Sequence, residues 1–194
     1  MSAVVDPVRS FFELELRLER EPEGTQGEIA RGFYLMTPRP RPMHGGVEGN
    51  LFAALRLRFG WGEGIAQPEW LFVVEPEIRS EANLSRLVPD VAAWRRSTTG
   101  WPDLGTTPVT VIPEWVAEVL SPATERFDRR EKAGAYGAMG VGWLWLVDAE
   151  ARRVETFANV RGAMVAGPLL SAGDELAAEP FGSLGLPVRR LFPG

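Results

Sequence analysis

The 194-residue chain contains no cysteine and a single histidine, His44. The first absence excludes disulfides, thiolate metal sites and a cysteine nucleophile. The second excludes any centre that needs two imidazoles, the paired-histidine zinc sites of metalloproteases among them. No apolar run approaches the roughly 20 residues of a membrane-spanning helix. The amino-terminal stretch MSAVVDPVRSFFELELRLERE lacks the basic start and apolar block of a secretory signal. A cytoplasmic protein without membrane contact is the expectation. An excess of positive charge is also missing. The formal net charge is −5, so the chain as a whole offers no cationic field to a phosphate backbone. This counts against a simple nucleic-acid binder but not against a nuclease, whose acidic metal ligands themselves lower the total. A local basic strip, TPRPRPMH at 37–44 with Arg39 and Arg41, remains able to face phosphates.

What is present is ordinary globular composition, 45% hydrophobic and 24% charged. That suffices for one domain over 1–194 with a core at about 28–160. Residues 10–20, SFFELELRLER, alternate Leu14, Leu16 and Leu18 with charges as a half-buried strand does, yet the same charges suit a helix, and both assignments stay open. The stretch GEIARGFYLMTP predicts a strand through Phe33 to Met36, stopped by the prolines of TPRPRP. After His44, Val47, Leu51, Ala54 and Leu55 fall at helical spacing, and Gly60 ends the pattern. Strands follow in WLFVVEPEIR, in VPDVAAWRR from near Pro89, and in VIPEWVAEVL, the last two separated by the turn-rich STTGWPDLGTTPVT. DRREKAGAYGAMG reads as a helix opened by Asp128 and Glu131 in a capping box and closed by Gly140. GWLWLVD (142–148) is apolar enough to be buried on both faces, its Trp143 and Trp145 filling the core or a subunit interface. Short strand-like pieces make up the tail. The order predicts a mixed α/β sheet with helices on its faces.

Within EWVAEVLSP, Glu118 stands among Trp115, Val116, Val119 and Leu120. A carboxylate there loses hydration on folding and needs a wet edge or a cation. Two more acidic residues, Glu77 and Asp90, fall near strand ends. If the Asp90 and Glu118 strands are neighbours, about 4.8 Å separates their backbones, and carboxylates on one face converge on one ion. Oxygen donors without histidine or cysteine clusters favour Mg²⁺ or Mn²⁺ over zinc. Asp128, Lys132 and Tyr136 recur every four residues along one helical stripe, so Lys132 is placed to bring an ammonium to the same strand end. Each of these residues also has a plainer role. Glu118 suits an internal ion pair, Asp90 a turn, Lys132 a solvated helix face and Asp128 a cap; Tyr136 suits packing against the sheet with its hydroxyl at the edge.

Taken in order, TPRPRPMHG, EPEI, Pro89-Asp90 in VPDVAAWRR, EVLSP, then Asp128, Lys132 and Tyr136, then GVGWLWLVD, this pattern resembles the Uma-two family of restriction-endonuclease-like proteins in the PD-(D/E)XK nuclease superfamily. The resemblance covers roughly residues 25–185. It implies a restriction-endonuclease-like α/β core, with added strands at both ends, in which Asp90 and Glu118 bind the divalent ion and Lys132 completes the catalytic set. It also implies supporting roles for Glu77, His44 and Tyr136. The superfamily lysine two residues after the glutamate is replaced here by Leu120, and the following helix is expected to supply the ammonium instead; Ala123 stands where many relatives have serine. The function so implied is a metal-dependent endonuclease acting on nucleic acid, DNA first, as a homodimer. The alternatives are a nuclease-like fold kept as a binding or assembly module with little hydrolysis, and a hydrolase of small phosphoesters.

Overall fold

The computed structural model describes residues 7–21, 26–37, 42–60 and 67–193. Arg39 and Arg41 of the basic strip lie outside the described residues.

The ambiguous amino-terminal stretch is a helix, α1 (Pro7–Leu18). Phe11 and Glu15, one turn apart, are buried while Phe12 and Leu16 are exposed. The apparent alternation of leucines therefore does not define a face; the helical period does. The next segment is a hairpin rather than one strand, β1 (Gln26–Ala30) with β2 (Phe33–Thr37). Its two-residue turn, Arg31-Gly32, has positive φ at both positions (49° and 81°), the backbone twist that suits tight antiparallel pairing. Helix α2 (Pro42–Phe59) follows, and then β3 (Trp70–Val74).

The connector between β3 and the Asp90 strand is itself a hairpin, β4 (Ile78–Ser80) and β5 (Ser85–Leu87). These strands join the first hairpin in a small sheet of order β2-β1-β5-β4. Next come β6 (Val91–Arg95) and β7 (Trp115–Leu120). A helical segment then runs from α3 (Glu125–Phe127) through a π turn, Asp128–Lys132, into α4 (Ala133–Met139). Gly140 ends it with φ 92°, a left-handed cap that glycine adopts freely. The remaining strands are β8 (Trp143–Asp148), β9 (Arg153–Val160), β10 (Ala163–Ser171), β11 (Glu175–Ala178) and β12 (Gly182–Pro187).

The main sheet has the order β10-β9-β8-β7-β6-β3, and its neighbours are antiparallel except β7 and β8. That parallel pair needs a crossover, which the α3–α4 segment provides. Strand alternation divides the core between the two faces. Trp115, Ala117 and Val119 pack with Val47, Leu51 and Leu55 of α2 and with Phe181 and Leu184 from the β11–β12 region. Val116, Leu120, Ala92 and Trp94 pack on the other face with Ala135, Tyr136 and Met139 of α4. Trp145 is fully buried in the first cluster, its ring 5.3 Å from Trp115, whereas Trp143 is only partly covered.

By the same alternation Glu118 belongs to the face that carries Val116 and Leu120, the α4 side. One step beyond the Val91↔Ala117 pair, the antiparallel register sets Asp90 opposite Glu118. The two carboxylates thus arise on facing positions of adjacent strands and on one side of the sheet.

Candidate metal centre

Glu118 is 3% exposed and has an ammonium partner. Lys132 Nζ lies 2.7 Å from its Oε1, and the Tyr136 hydroxyl donates to the same oxygen at 2.5 Å. The aliphatic Leu120, two residues after Glu118, is buried, and the ammonium arrives from the π turn of the next helix instead. A π turn adds a residue to the helical period and re-aims the side chains it carries. Here it turns Asp128 and Lys132 into the interior, and both are buried.

Asp128 is therefore not the cap that its spacing from Glu131 suggested. Helical structure starts at Glu125, Asp128 lies 3.8 Å from Lys132 Nζ, and Glu131 pairs with Arg31 at 3.5 Å. Nor does the Tyr136 hydroxyl sit at the sheet edge: the residue is fully buried against Glu118.

Asp90 is held by both oxygens. Oδ1 is 2.8 Å from His44 Nε2, and Oδ2 accepts the backbone N–H of Val119 at 2.5 Å. His44 comes from the first turn of α2, so the end of β6 is bracketed by a helix from one face and by the lysine-bearing helix from the other. Glu77, by contrast, is engaged elsewhere, with Arg86 Nε at 2.6 Å and with the Thr107 hydroxyl at 3.2 Å.

Three participants went unnoticed in the sequence. Glu28 of β1 is buried, takes Lys132 Nζ at 2.9 Å on Oε1, and on the same oxygen accepts the backbone N–H of Val88 at 2.8 Å. Glu48 follows His44 by four residues on α2, and its carboxylate, a His44 ring nitrogen and an Asp90 oxygen lie within 4.8 Å of one another. Glu75, just after β3, has a strained φ of 47° and donates its N–H to the Asp90 carbonyl at 3.0 Å. Signals existed for the first two. Glu28, next to Ile29 and Ala30, is an acid in an apolar strand as Glu118 is, and an i, i+4 His–Glu pair shares a helix face.

The electrostatics follow from crowding. Burial drives the Glu118 carboxyl well above the usual range; Lys132 opposes this, while Asp90, Asp128 and Glu28 add to it. Burial also pushes Asp128 up to about 6 against the pull of Lys132. Glu48 rises to about 7 through burial and the charges of Asp90 and Glu75. For Lys132 burial favours loss of the proton, but Glu118, Glu28 and Asp128 outweigh it and hold the ammonium well above its ordinary value. His44 is raised as well, because its hydrogen bond and charge contact with Asp90 override the effect of burial.

Four buried carboxylates, Glu28, Asp90, Glu118 and Asp128, thus act on one buried ammonium, and a fifth, Glu48, lies beside His44 and Asp90. Such an imbalance of hard oxygen donors, with one imidazole beside them, fits a divalent cation of the Mg²⁺ or Mn²⁺ kind.

Comparison with known proteins agrees with the resemblance drawn from the motifs. The family Uma2, described as "Putative restriction endonuclease", matches residues 10–189. The chain belongs to the Uma2 family. Among solved structures, a crystal structure titled as a putative nuclease belonging to DUF820, from Anabaena variabilis, is similar in fold. The TM-score is 0.72 at 17% sequence identity, over 92% of this chain and 96% of that one. No curated protein matches. The architecture of this Uma2 member is accordingly the restriction-endonuclease-like mixed α/β fold, and among its described residues no helix is long and apolar enough to cross a membrane.

Proposed function

We propose that this protein is a divalent-metal-dependent endonuclease that hydrolyses phosphodiester bonds in DNA. The observation that carries the reading is the facing register of Asp90 and Glu118 on adjacent strands, with the Lys132 ammonium 2.7 Å from Glu118. Asp90 and Glu118 would hold Mg²⁺ or Mn²⁺, which when bound polarises the phosphate and acidifies a water.

The chain's own groups do the rest. Lys132, surrounded by Glu28, Glu118 and Asp128, stays protonated and so serves as a fixed positive charge near the reacting phosphate, not as a base. Tyr136 orients Glu118 through their hydrogen bond. His44 and the Val119 N–H fix the two oxygens of Asp90. In the reaction the water oxygen bonds to phosphorus and the ester P–O bond breaks; the water's proton ends, through solvent, on the departing sugar oxygen. A two-fold homodimer would bring one site to each strand of a duplex.

The test is cleavage of supercoiled plasmid. Nicking or linearisation with Mg²⁺ or Mn²⁺, abolished by EDTA and by Asp90→Asn or Glu118→Gln, supports the reading; equal cleavage by the variants overturns it. A second reading, a nuclease-like fold used to bind nucleic acid or assemble, is favoured by the full commitment of Glu118 Oε1 to Lys132 and Tyr136. Salt-sensitive retention of DNA without cleavage by the wild-type protein is its outcome.

A further inference from the structure

Strand β10 forms one edge of the main sheet, and among the described residues it pairs with β9 alone. Its nine residues, AMVAGPLLS, carry no charge, and seven of them are exposed. Val165 and Leu169 stand 50% and 54% open to solvent. Natural sheets guard such an edge with charges, prolines or bulges, because its unpaired N–H and C=O groups template further pairing. In β10 the proline and the bulge coincide at one point, where Gly167 and Pro168 together oppose Thr156. Residues 163–166 and 169–171 on either side are left as an unguarded apolar edge.

The bulge also defines what fits there. It advances the strand by one residue, so Ala166 and Leu169 share one face of the sheet with their partners Phe157 and Glu155, while Val165 and Leu170 share the other with Ala158 and Val154. A second copy laid antiparallel along β10, bulge against bulge, sets Ala166 opposite Leu169 and Val165 opposite Leu170, each pair on a common face. Pro168, which has no N–H to give, then falls at the axis, where the bulges leave the ladder open.

Charge fits the same register. The turn before β10 carries Arg161 and the turn after it carries Asp174, and among the described residues neither makes an ion pair. Antiparallel pairing brings Arg161 of each copy level with Asp174 of the other, so opposite charges meet at both ends of an uncharged strand.

We infer that β10 is the seam of a two-fold dimer in which the main sheets of two copies join edge to edge. The seam depends on the strand edge and not on the chemistry at Asp90. It does bear on the arrangement of the two sites. Three steps separate β7 from β10 in each copy, and with one across the seam β7 lies about 34 Å from its counterpart at the usual strand spacing. Antiparallel pairing reverses the second sheet, but a twist of about 20–25° per step accumulates to about 140–175° over that distance and largely undoes the reversal. Both Asp90–Glu118 strand ends then open to one side of the dimer. Their spacing is about one turn of duplex DNA, a consequence that rests on the proposed function.

The experiment is sedimentation velocity of the 194-residue chain over a range of concentrations, joined to cross-linking. A concentration-dependent dimer is expected. Val165→Lys and Leu169→Lys, at exposed positions and with folding verified by circular dichroism, should each sediment as monomers where the wild type is paired. The chain has no cysteine of its own, so introduced cysteines report the register directly. Mild oxidation should join Ala166→Cys/Leu169→Cys into a covalent dimer and leave each single-cysteine variant unlinked, since the same residue of two copies lies three positions apart along the seam, beyond disulfide reach. A wild type that is monomeric throughout, a dimer that both lysine variants keep, or a dimer whose double-cysteine form does not cross-link overturns the inference. Plasmid cleavage by a monomeric wild type would leave the proposed function standing without the seam, and a cross-linked dimer that cleaves nothing would leave the seam standing without that function.

Discussion

Lys132 Nζ stands between Glu118 Oε1 at 2.7 Å and Glu28 Oε1 at 2.9 Å, joining the main sheet to the small one through a single buried ammonium. Removing that charge strands carboxylates in the interior, and breaking a buried pair in this way costs about 3–5 kcal/mol. Lys132→Met is expected to lose stability on that scale at pH 8 in urea unfolding, with a smaller loss at pH 5, where the stranded acids take up protons.

Glu28 grips both the lysine and the turn that leads to Asp90, since its Oε1 accepts the Val88 N–H. Glu28→Gln keeps an acceptor for that N–H but withdraws a negative charge from Lys132. We expect a loss of about 1–3 kcal/mol in stability. In cleavage assays the variant should show a lower kcat with little change in KM.

Glu48 gives the metal-free protein a pH dependence. Its carboxyl titrates near 4.5 when unfolded and at about 7 when folded, so between those values the folded state holds the extra proton. Stability is therefore fullest below pH 4.5 as far as this group is concerned, and is lost as pH rises through 7. His44, raised above 6.5, acts in the same sense. Melting temperature in EDTA should fall from pH 5 to pH 7.5, and Glu48→Gln should flatten the fall.

Two helical glycines should respond oppositely to alanine. A Cβ at Gly137 would meet the Gly162 carbonyl oxygen at 2.7 Å, a backbone atom with little room to give. Gly137→Ala should destabilise by about 1–3 kcal/mol by prying α4 from the β9–β10 turn. Gly49, on α2, has nothing within 4 Å. Gly49→Ala should stabilise by about 0.8–1 kcal/mol, read as a higher midpoint in urea.

The sequence made the main strands and the α4 segment legible because their apolar runs were long and their ends were marked, as Gly140 marks α4. The β4–β5 hairpin was missed because three-residue strands carry too little pattern to register. The amino-terminal leucines misled because alternation and helical period coincide over so short a span, and only packing distinguishes Phe11 from Leu16. Motif order grouped Asp90, Glu118 and Lys132, and the strand register and the 2.7 Å Glu118–Lys132 contact set them near one another. Asp128 was misjudged because a π turn cannot be anticipated from capping patterns, and Glu28 because it reaches Lys132 across 104 positions of chain. In EPEIR the sequence singled out Glu77, yet the chain commits Glu77 to Arg86 and it is the Glu75 N–H that bonds to the Asp90 carbonyl.

The central claim is that carboxylates from adjacent strands, Asp90 and Glu118, share a divalent cation beside Lys132. Anomalous diffraction from crystals soaked in Mn²⁺ tests it most directly. A manganese peak within about 2.0–2.3 Å of oxygens from both residues is the result the account predicts. Both carboxylates free of manganese at a concentration that supports cleavage, with Glu118 still bound only to Lys132 and Tyr136, would contradict it.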